Sequence, residues 1–361
     1  MKRRLLLGLG IGGMLLTLAA CQPKEEPKEL AKLAYTNTIK STGFNMNTSG
    51  KFNVDMGSLA EGEIQDLGFN SKMNITYDIK NAIDFKKKQA EQQYSITVPY
   101  QKNSYTFKTG LYLDESEKQM TIDNNSLLKI AHTIWEISEA ESVTGSLSDE
   151  QKKDITAVLD YLDTKLTNTN TFIGTEDLYT SSPTKEIKKG ASRLIKLLNW
   201  IPEDAYSYAK DKKGQYGHIL VSLTDAQVKA VIESSIKDAY KVDKKLGDVK
   251  QQEQFLKEQL STFKDEQKTM KFTKAHLTLL VNENKQLVDA SLVINLEVTP
   301  EGAKKKDATY AIINNTSFTH YNKPSFTLPI KENKDLSMEE VTTILNSKMN
   351  DLSRKYTETV N

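Results

Sequence analysis

Four histidines are scattered along the chain: His132, His218, His276 and His320. A catalytic or metal-binding histidine needs a partner within reach, and in a sequence that need shows as a short spacing. The commonest form is two histidines one helical turn apart with a glutamate between them. None of the four has such a neighbour. The surrounding pattern puts His132 in a helix and the other three in strands, where surface and packing roles account for them. Glu139, Glu141, Asp149 and Glu150 form an acidic stretch, but without the ligand spacing of a calcium loop, so it reads as a solvated helix end. No Gly-x-Ser-x-Gly elbow, phosphate loop or glycine-rich strand-to-helix turn occurs. Trp135 and Trp200 fall on helices and are expected in packing. Neither an enzymatic activity nor a metal or cofactor is expected. One reactive group is left: Cys21 is the only cysteine in 361 residues, so the chain can form no internal disulfide.

The position of that thiol gives it meaning. Lys2, Arg3 and Arg4 precede an uncharged apolar run, Leu5 to Leu18. The run is shorter than the roughly 20 apolar residues that span a bilayer, and it suits the core of an export signal. It ends in Leu18-Ala19-Ala20-Cys21, which matches the bacterial lipobox. In signals of that kind a diacylglyceryl group is placed on the cysteine thiol. A peptidase then cuts between the positions occupied here by Ala20 and Cys21. The expectation is a lipoprotein held by lipid, palmitate-type acyl chains included, on the extracellular face of the cytoplasmic membrane. Gln22 to Lys28 contains two prolines and no large apolar side chain, so it reads as a tether. One acyl chain binds a membrane marginally, whereas two anchor it stably.

Composition narrows the partners. The whole chain carries 49 Lys+Arg against 48 Asp+Glu; without the three basic residues of the signal the balance is 46 against 48. Such a chain has no basic stripe for nucleic acid, and no nucleic-acid partner is expected. Its abundant Asn and Lys have a low-GC, Gram-positive flavour. The protein partner, if there is one, is not legible.

The elements behind these residues follow from periodicity. Pro27 to Lys40 reads as a helix with Leu30, Leu33 and Ala34 on one face. Phe44, Met46, Phe52, Val54 and Met56 then alternate with polar residues. From Met73 to Phe85 every odd position is apolar except Asn81, which predicts a long strand with one buried and one wet face. Further alternation at Tyr94, Ile96 and Val98, then at Tyr105, Phe107, Leu111 and Leu113, suits an antiparallel meander. From Ser126 the period becomes helical, with Leu127, Ile130, Ile134 and Ile137 as one stripe. Ser148 with Gln151, Thr224 with Gln227, and Ser337 with Glu340 have the spacing of capping boxes. Ser182-Pro183 opens another helix. Tyr216 to Leu223 reads as a strand, and Asp248 to Lys268 as a mostly exposed helix. Strands resume at Leu277, Leu279 and Val281, turn at Asn282 to Lys285, and return through Leu292, Ile294, Leu296 and Val298. Tyr310 to His320 is a further strand.

Each strand set alone would leave an apolar face bare, so the two sets are expected to join in one sheet. The predicted class is α+β: a long-stranded, curved antiparallel sheet, or half-barrel, packed against helices. Residues 1–20 form the signal, 21–28 the lipidated tether and 29–361 one domain with a helical block at about 126–210. The apolar face carried by Ile75, Tyr77, Ile79, Phe107, Leu277, Leu279, Leu292, Ile294 and Leu296 is the candidate lining of a ligand cavity.

This plan resembles the LolA-like group of periplasmic lipid carriers, mycobacterial lipoproteins and uncharacterised Gram-positive lipoproteins. The resemblance is carried by the first helix ending in Ser41-Thr-Gly43, by the Met73–Phe85 strand, and by Gly110-Leu-Tyr-Leu113 opening a short strand. It is also carried by Val221-Ser-Leu-Thr224, by the turn Val281 to Gln286 and by Asn322-Lys-Pro-Ser-Phe-Thr-Leu-Pro329. It implies a half-barrel closing around helices over an apolar cavity, and so a lipid or another apolar ligand. The helical block is longer than that group leads one to expect. The alternative left open is an envelope scaffold or sensor that binds another protein through a solid-core domain.

Overall fold

The computed structural model describes residues 25–57, 71–140, 147–174, 183–209, 216–240, 249–299 and 307–358. The signal, the lipobox with Ala20 and Cys21, and Ser182 lie outside the described residues. The first helix, α1 (Pro27–Lys40), starts on a proline, whose fixed φ suits a first helical turn, and it buries Leu30, Ala31 and Ala34.

Four long strands follow as a meander: β1 (Gly43–Asp55), β2 (Lys72–Asp84), β3 (Gln89–Tyr100) and β4 (Asn103–Asp114). A short β5 (Gln119–Asp123) comes next. Gly110 to Leu113 therefore ends a long strand and does not open a short one. Helices α2 (Asn124–Ala140) and α3 (Asp149–Leu166), β6 (Thr169–Gly174), α4 (Pro183–Trp200) and β7 (Tyr206–Tyr208) complete the stretch expected to be helical, so that stretch also contributes two strands. The second meander is β8 (Gly217–Ser222), β9 (Met270–Val281), β10 (Leu287–Val298) and β11 (Ala308–Thr319), with α5 (Asp225–Ala239) and α6 (Val249–Thr269) inserted between β8 and β9. The chain ends in β12 (Lys334–Ser337) and α7 (Met338–Glu358).

The α+β class holds. Among the described residues one curved, unclosed sheet of 12 strands runs in the order β12-β6-β5-β4-β3-β2-β1-β11-β10-β9-β8-β7, with seven helices packed against it. The two meanders join where β1 pairs with β11 along Asn45 to Asp55. All the pairings are antiparallel except β12 with β6. Capping boxes at Ser148 and Thr224 satisfy orphan backbone N–H groups at the starts of α3 and α5. Ser337 does the same for α7, its hydroxyl accepting from Glu340 N at 3.2 Å while the Glu340 carboxylate accepts from Ser337 N at 2.7 Å.

The main core closes one end of the sheet. There α1, the end of α4 (Leu198, with Ile201 just beyond) and Val231 of α5 pack on Phe44, Met46, Ile83, Ile219, Leu279, Val281 and Phe318. Phe44 meets Phe318 and Phe85 edge-on, at centroid distances of 5.5 and 6.0 Å. A second cluster, Leu128, Leu166, Leu336 and Val341, ties α2, α3, β12 and α7 together.

Candidate functional site

Directly opposed residues in an antiparallel ladder project to the same side of a sheet. Following the pairs from strand to strand therefore sorts the side chains by face. Ile75 opposes Phe52, Phe52 opposes Ile312, Ile312 opposes Ile294, and Ile294 opposes Ala275. Tyr77 opposes Ile96, and Ile96 opposes Phe107. Leu292 opposes Leu277, and Ala290 opposes Leu279. All nine residues singled out by alternation thus share one face. A register shift between Asn295 and Leu296 is absorbed on β9 by one extra residue, so Leu296 opposes Phe272 and stays on that face.

Across β1–β4 and β8–β11 this face carries no Asp, Glu, Lys, Arg or His at any paired position. Every charged residue of those strands, Lys51, Asp78, Lys80, Glu91, Lys108, Lys274 and Asp289 among them, projects from the other face.

The helices do not cover the neutral face evenly. Leu279 is fully buried in the main core, and Leu277 packs against it. Ile294 and Leu296 pack with Val228 of α5 and with Phe272. Ile75, Tyr77, Ile79, Phe107 and Leu292 are only half-buried, and Ile96 beside Phe107 and Tyr77 is 37% exposed. The α2 stripe is covered only in part: Leu127 is 43% and Ile134 53% exposed, while Ile130 and Ile137 are half-buried.

A polar line interrupts the neutral face. Thr48 and Thr316 oppose each other across β1 and β11, their hydroxyls 3.0 Å apart. Asn81 on β2 and Asn314 on β11 flank them, and all four are buried. In the alternation of its strand Asn81 is the one exception, and that is the signal the sequence offers. Gly50 opposes both Tyr77 and Asn314. A Cβ on Gly50 would sit 2.3 Å from Tyr77 Cζ, so the absent side chain lets the phenol lie across β1. Burial pushes the Tyr77 hydroxyl above the ordinary tyrosine pKa, so it stays a neutral donor at physiological pH.

Two cavities of about 460 and 260 Å³ open along the central strands. Both are bordered mainly by the polar face, through Asn53, Asp55, Asn295 and Glu297 in the larger and Asp78, Lys80 and Asp289 in the smaller. Of the nine candidate residues, Leu296 borders the larger and Ile79 the smaller.

The histidines do not converge. His132 Nε2 bonds Asp163 Oδ2 at 2.8 Å and joins α2 to α3. His276 Nδ1 lies 2.9 Å from Ser222 Oγ across β8 and β9. Among the described residues no group of three His, Cys, Asp or Glu side chains is placed to hold a metal ion. No described helix is long and apolar enough to cross a membrane. No protein-family model matches the chain, and no curated protein matches it.

Proposed function

We propose that the protein is a lipid-anchored cell-surface protein that binds a lipid or another apolar ligand over the neutral face of its sheet. The observation that carries this reading is the charge-free face of eight strands, packed at one end and half-uncovered in the middle. Apolar ligand surface removed from water there gains roughly 25 cal/mol per Å², enough for an acyl chain to bind usefully. The lipobox at Cys21 supports the anchor, and the resemblance to LolA-like carriers supports the cargo. Native mass spectrometry of the protein purified from its own host tests both. The expected result is a covalent diacylglyceryl mass lost in Cys21→Ser, together with a separate, dissociable lipid mass. Unmodified Cys21 refutes the anchor, and ligand-free protein at every stage of purification refutes the cargo.

A second reading, an envelope scaffold or sensor binding another protein, is supported by the exposed α2 stripe at Leu127 and Ile134. Host protein that carries no lipid but co-purifies with one stoichiometric partner would favour it.

A further inference from the structure

The neutral face is not uniformly apolar, and its polar line bears on the kind of ligand it would take. Asn81 opposes Met46, and Thr48 is the next residue of β1 on that face. Thr316 opposes Thr48, and Asn314 is the next residue of β11 on the same face. The four therefore run diagonally across three adjacent strands. Asn81 is 8%, Thr48 6%, Thr316 2% and Asn314 7% exposed. The two threonine hydroxyls share one hydrogen bond, but among the described residues Asn81 Nδ2 and Asn314 Oδ1 have no hydrogen-bond partner. Gln92 of β3 opposes Asn81 and carries the line one strand further, so the open donor lies within the line and the open acceptor at its other end. A primary amide can turn to present either atom, so each amide can meet either kind of group.

A sheet face built only for packing would hold Val, Ile or Leu at these places. Buried polar groups left unmatched are a net loss to the fold, which makes their presence informative. Tyr77, lying over Gly50 beside Asn314, adds a third polar group at the acceptor end. The chemistry of an occupant follows from what the face lacks. A buried carboxylate or phosphate needs a counter-charge, and across β1–β4 and β8–β11 the face supplies none. A bare hydrocarbon would leave both amides unmatched.

We propose that Asn81, Thr48, Thr316 and Asn314, with Tyr77, form a polar track for the uncharged hydrogen-bonding groups of an amphipathic lipid, its hydroxyls, esters or amides, whose chain lies along Ile75, Phe107 and Ile96. The inference rests on the reading of this face as a ligand surface.

The test uses the full-length protein in phosphatidylcholine nanodiscs and three photoactivatable diazirine probes of equal chain length. These are a monoacylglycerol, a fatty acid and an alkane, and labelled peptides are located by mass spectrometry. In the wild type the monoacylglycerol is expected to label β1, β2 and β11 at least fivefold above the other two probes. Asn81→Leu and Asn314→Leu are expected to lose that labelling fivefold or more. Both should keep alkane labelling and a melting temperature no lower than the wild type, because each replaces an unmatched amide by an apolar group of similar size. If no probe labels these strands, the ligand reading itself fails. If the three probes label alike, or the variants lose nothing, the face holds apolar chains, water alone satisfies the amides, and the polar track is refuted.

Discussion

At the scale of single residues, the most constrained backbone positions are glycines that sequence patterning passes over. A Cβ on Gly43 would lie 2.4 Å from the Ile83 carbonyl oxygen and 2.9 Å from Pro324 Cγ. Backbone on one side and a ring on the other leave nothing free to give way. Gly43→Ala is expected to destabilise the fold by about 1–3 kcal/mol, read as a lower denaturant midpoint at unchanged slope. At Gly50 the neighbour is the outer end of a half-buried tyrosine, which can swing aside. Gly50→Ala should therefore leave the midpoint within about 1 kcal/mol of the wild type and show its effect in ligand binding. The two glycines look alike in the sequence. Only the sheet register, which a single chain does not reveal, separates them. The capping serines and threonine were legible because a cap is a local bargain between residues three apart. Asn81 was legible as an exception, whereas its partnership with Thr48, Thr316 and Asn314 needed the pairing of β1 with β11, more than 230 positions apart in sequence for every pair.

At the scale of elements, the long strands were readable because 12 or 13 residues of alternation outweigh local noise. Strands β7, β12 and β5 have three, four and five residues, too few for a period to show. The turns hide as well: β3 passes to β4 through Gln101, which takes φ 51° without being Gly or Asn. The segment after β11 shows no period in the sequence, and the fold gives it a task. It runs over the polar face, where Asn45 and Ser325 exchange two hydrogen bonds, and Leu328 presses on Gly110. It then delivers β12 to β6 at the far edge of the sheet. Its clasp is Glu91, buried on β3, whose carboxylate accepts from Thr327 N at 2.6 Å and Leu328 N at 2.9 Å. Removing that carboxylate strands two backbone donors. Glu91→Ala is expected to destabilise by about 3 kcal/mol, while Glu91→Gln, which keeps one acceptor oxygen, should lose less. Hydrogen exchange should locate the change in Thr327, Leu328 and the β12–β6 pairing. Protection lost evenly over the molecule would show that the strap is not a separate unit.

At the scale of the whole molecule, the junction between tether and fold sets an orientation if Cys21 carries lipid. Glu25 does not dangle: its carboxylate pairs with Lys285 and accepts from Tyr216 Oη at 2.9 Å, while its carbonyl oxygen accepts from Tyr208 Oη at 2.7 Å. Lys28 Nζ adds a bond to the Ile201 carbonyl oxygen at 2.7 Å. Four peptide steps of 3.8 Å separate Cys21 from Glu25, so the clamp can stand no more than about 15 Å from the lipid. The β9–β10 turn that supplies Lys285 would then be held near the membrane. The opposite strand ends, such as Ser104 at the start of β4, lie a strand length away, roughly 40 Å at 3.3 Å per residue. Because Cys21 is the only native cysteine and would be acylated, one introduced thiol can be labelled uniquely. A fluorophore on Glu283→Cys should be quenched strongly by nitroxide lipids, and one on Ser104→Cys weakly. The contrast should depend on pH through Glu25. The Lys285 ammonium, helped by the Tyr216 hydroxyl and opposed by burial, holds its carboxyl below the ordinary glutamate value. A depressed folded-state pKa gives stabilisation that is complete above the unfolded value and is lost as pH falls through the folded one. The contrast should accordingly hold at pH 7, fade only below about pH 4, and shrink at pH 7 in Glu25→Gln. Equal quenching at the two positions in protein shown to carry lipid on Cys21 would mean that the domain tumbles freely on its leash and that the clamp orients nothing.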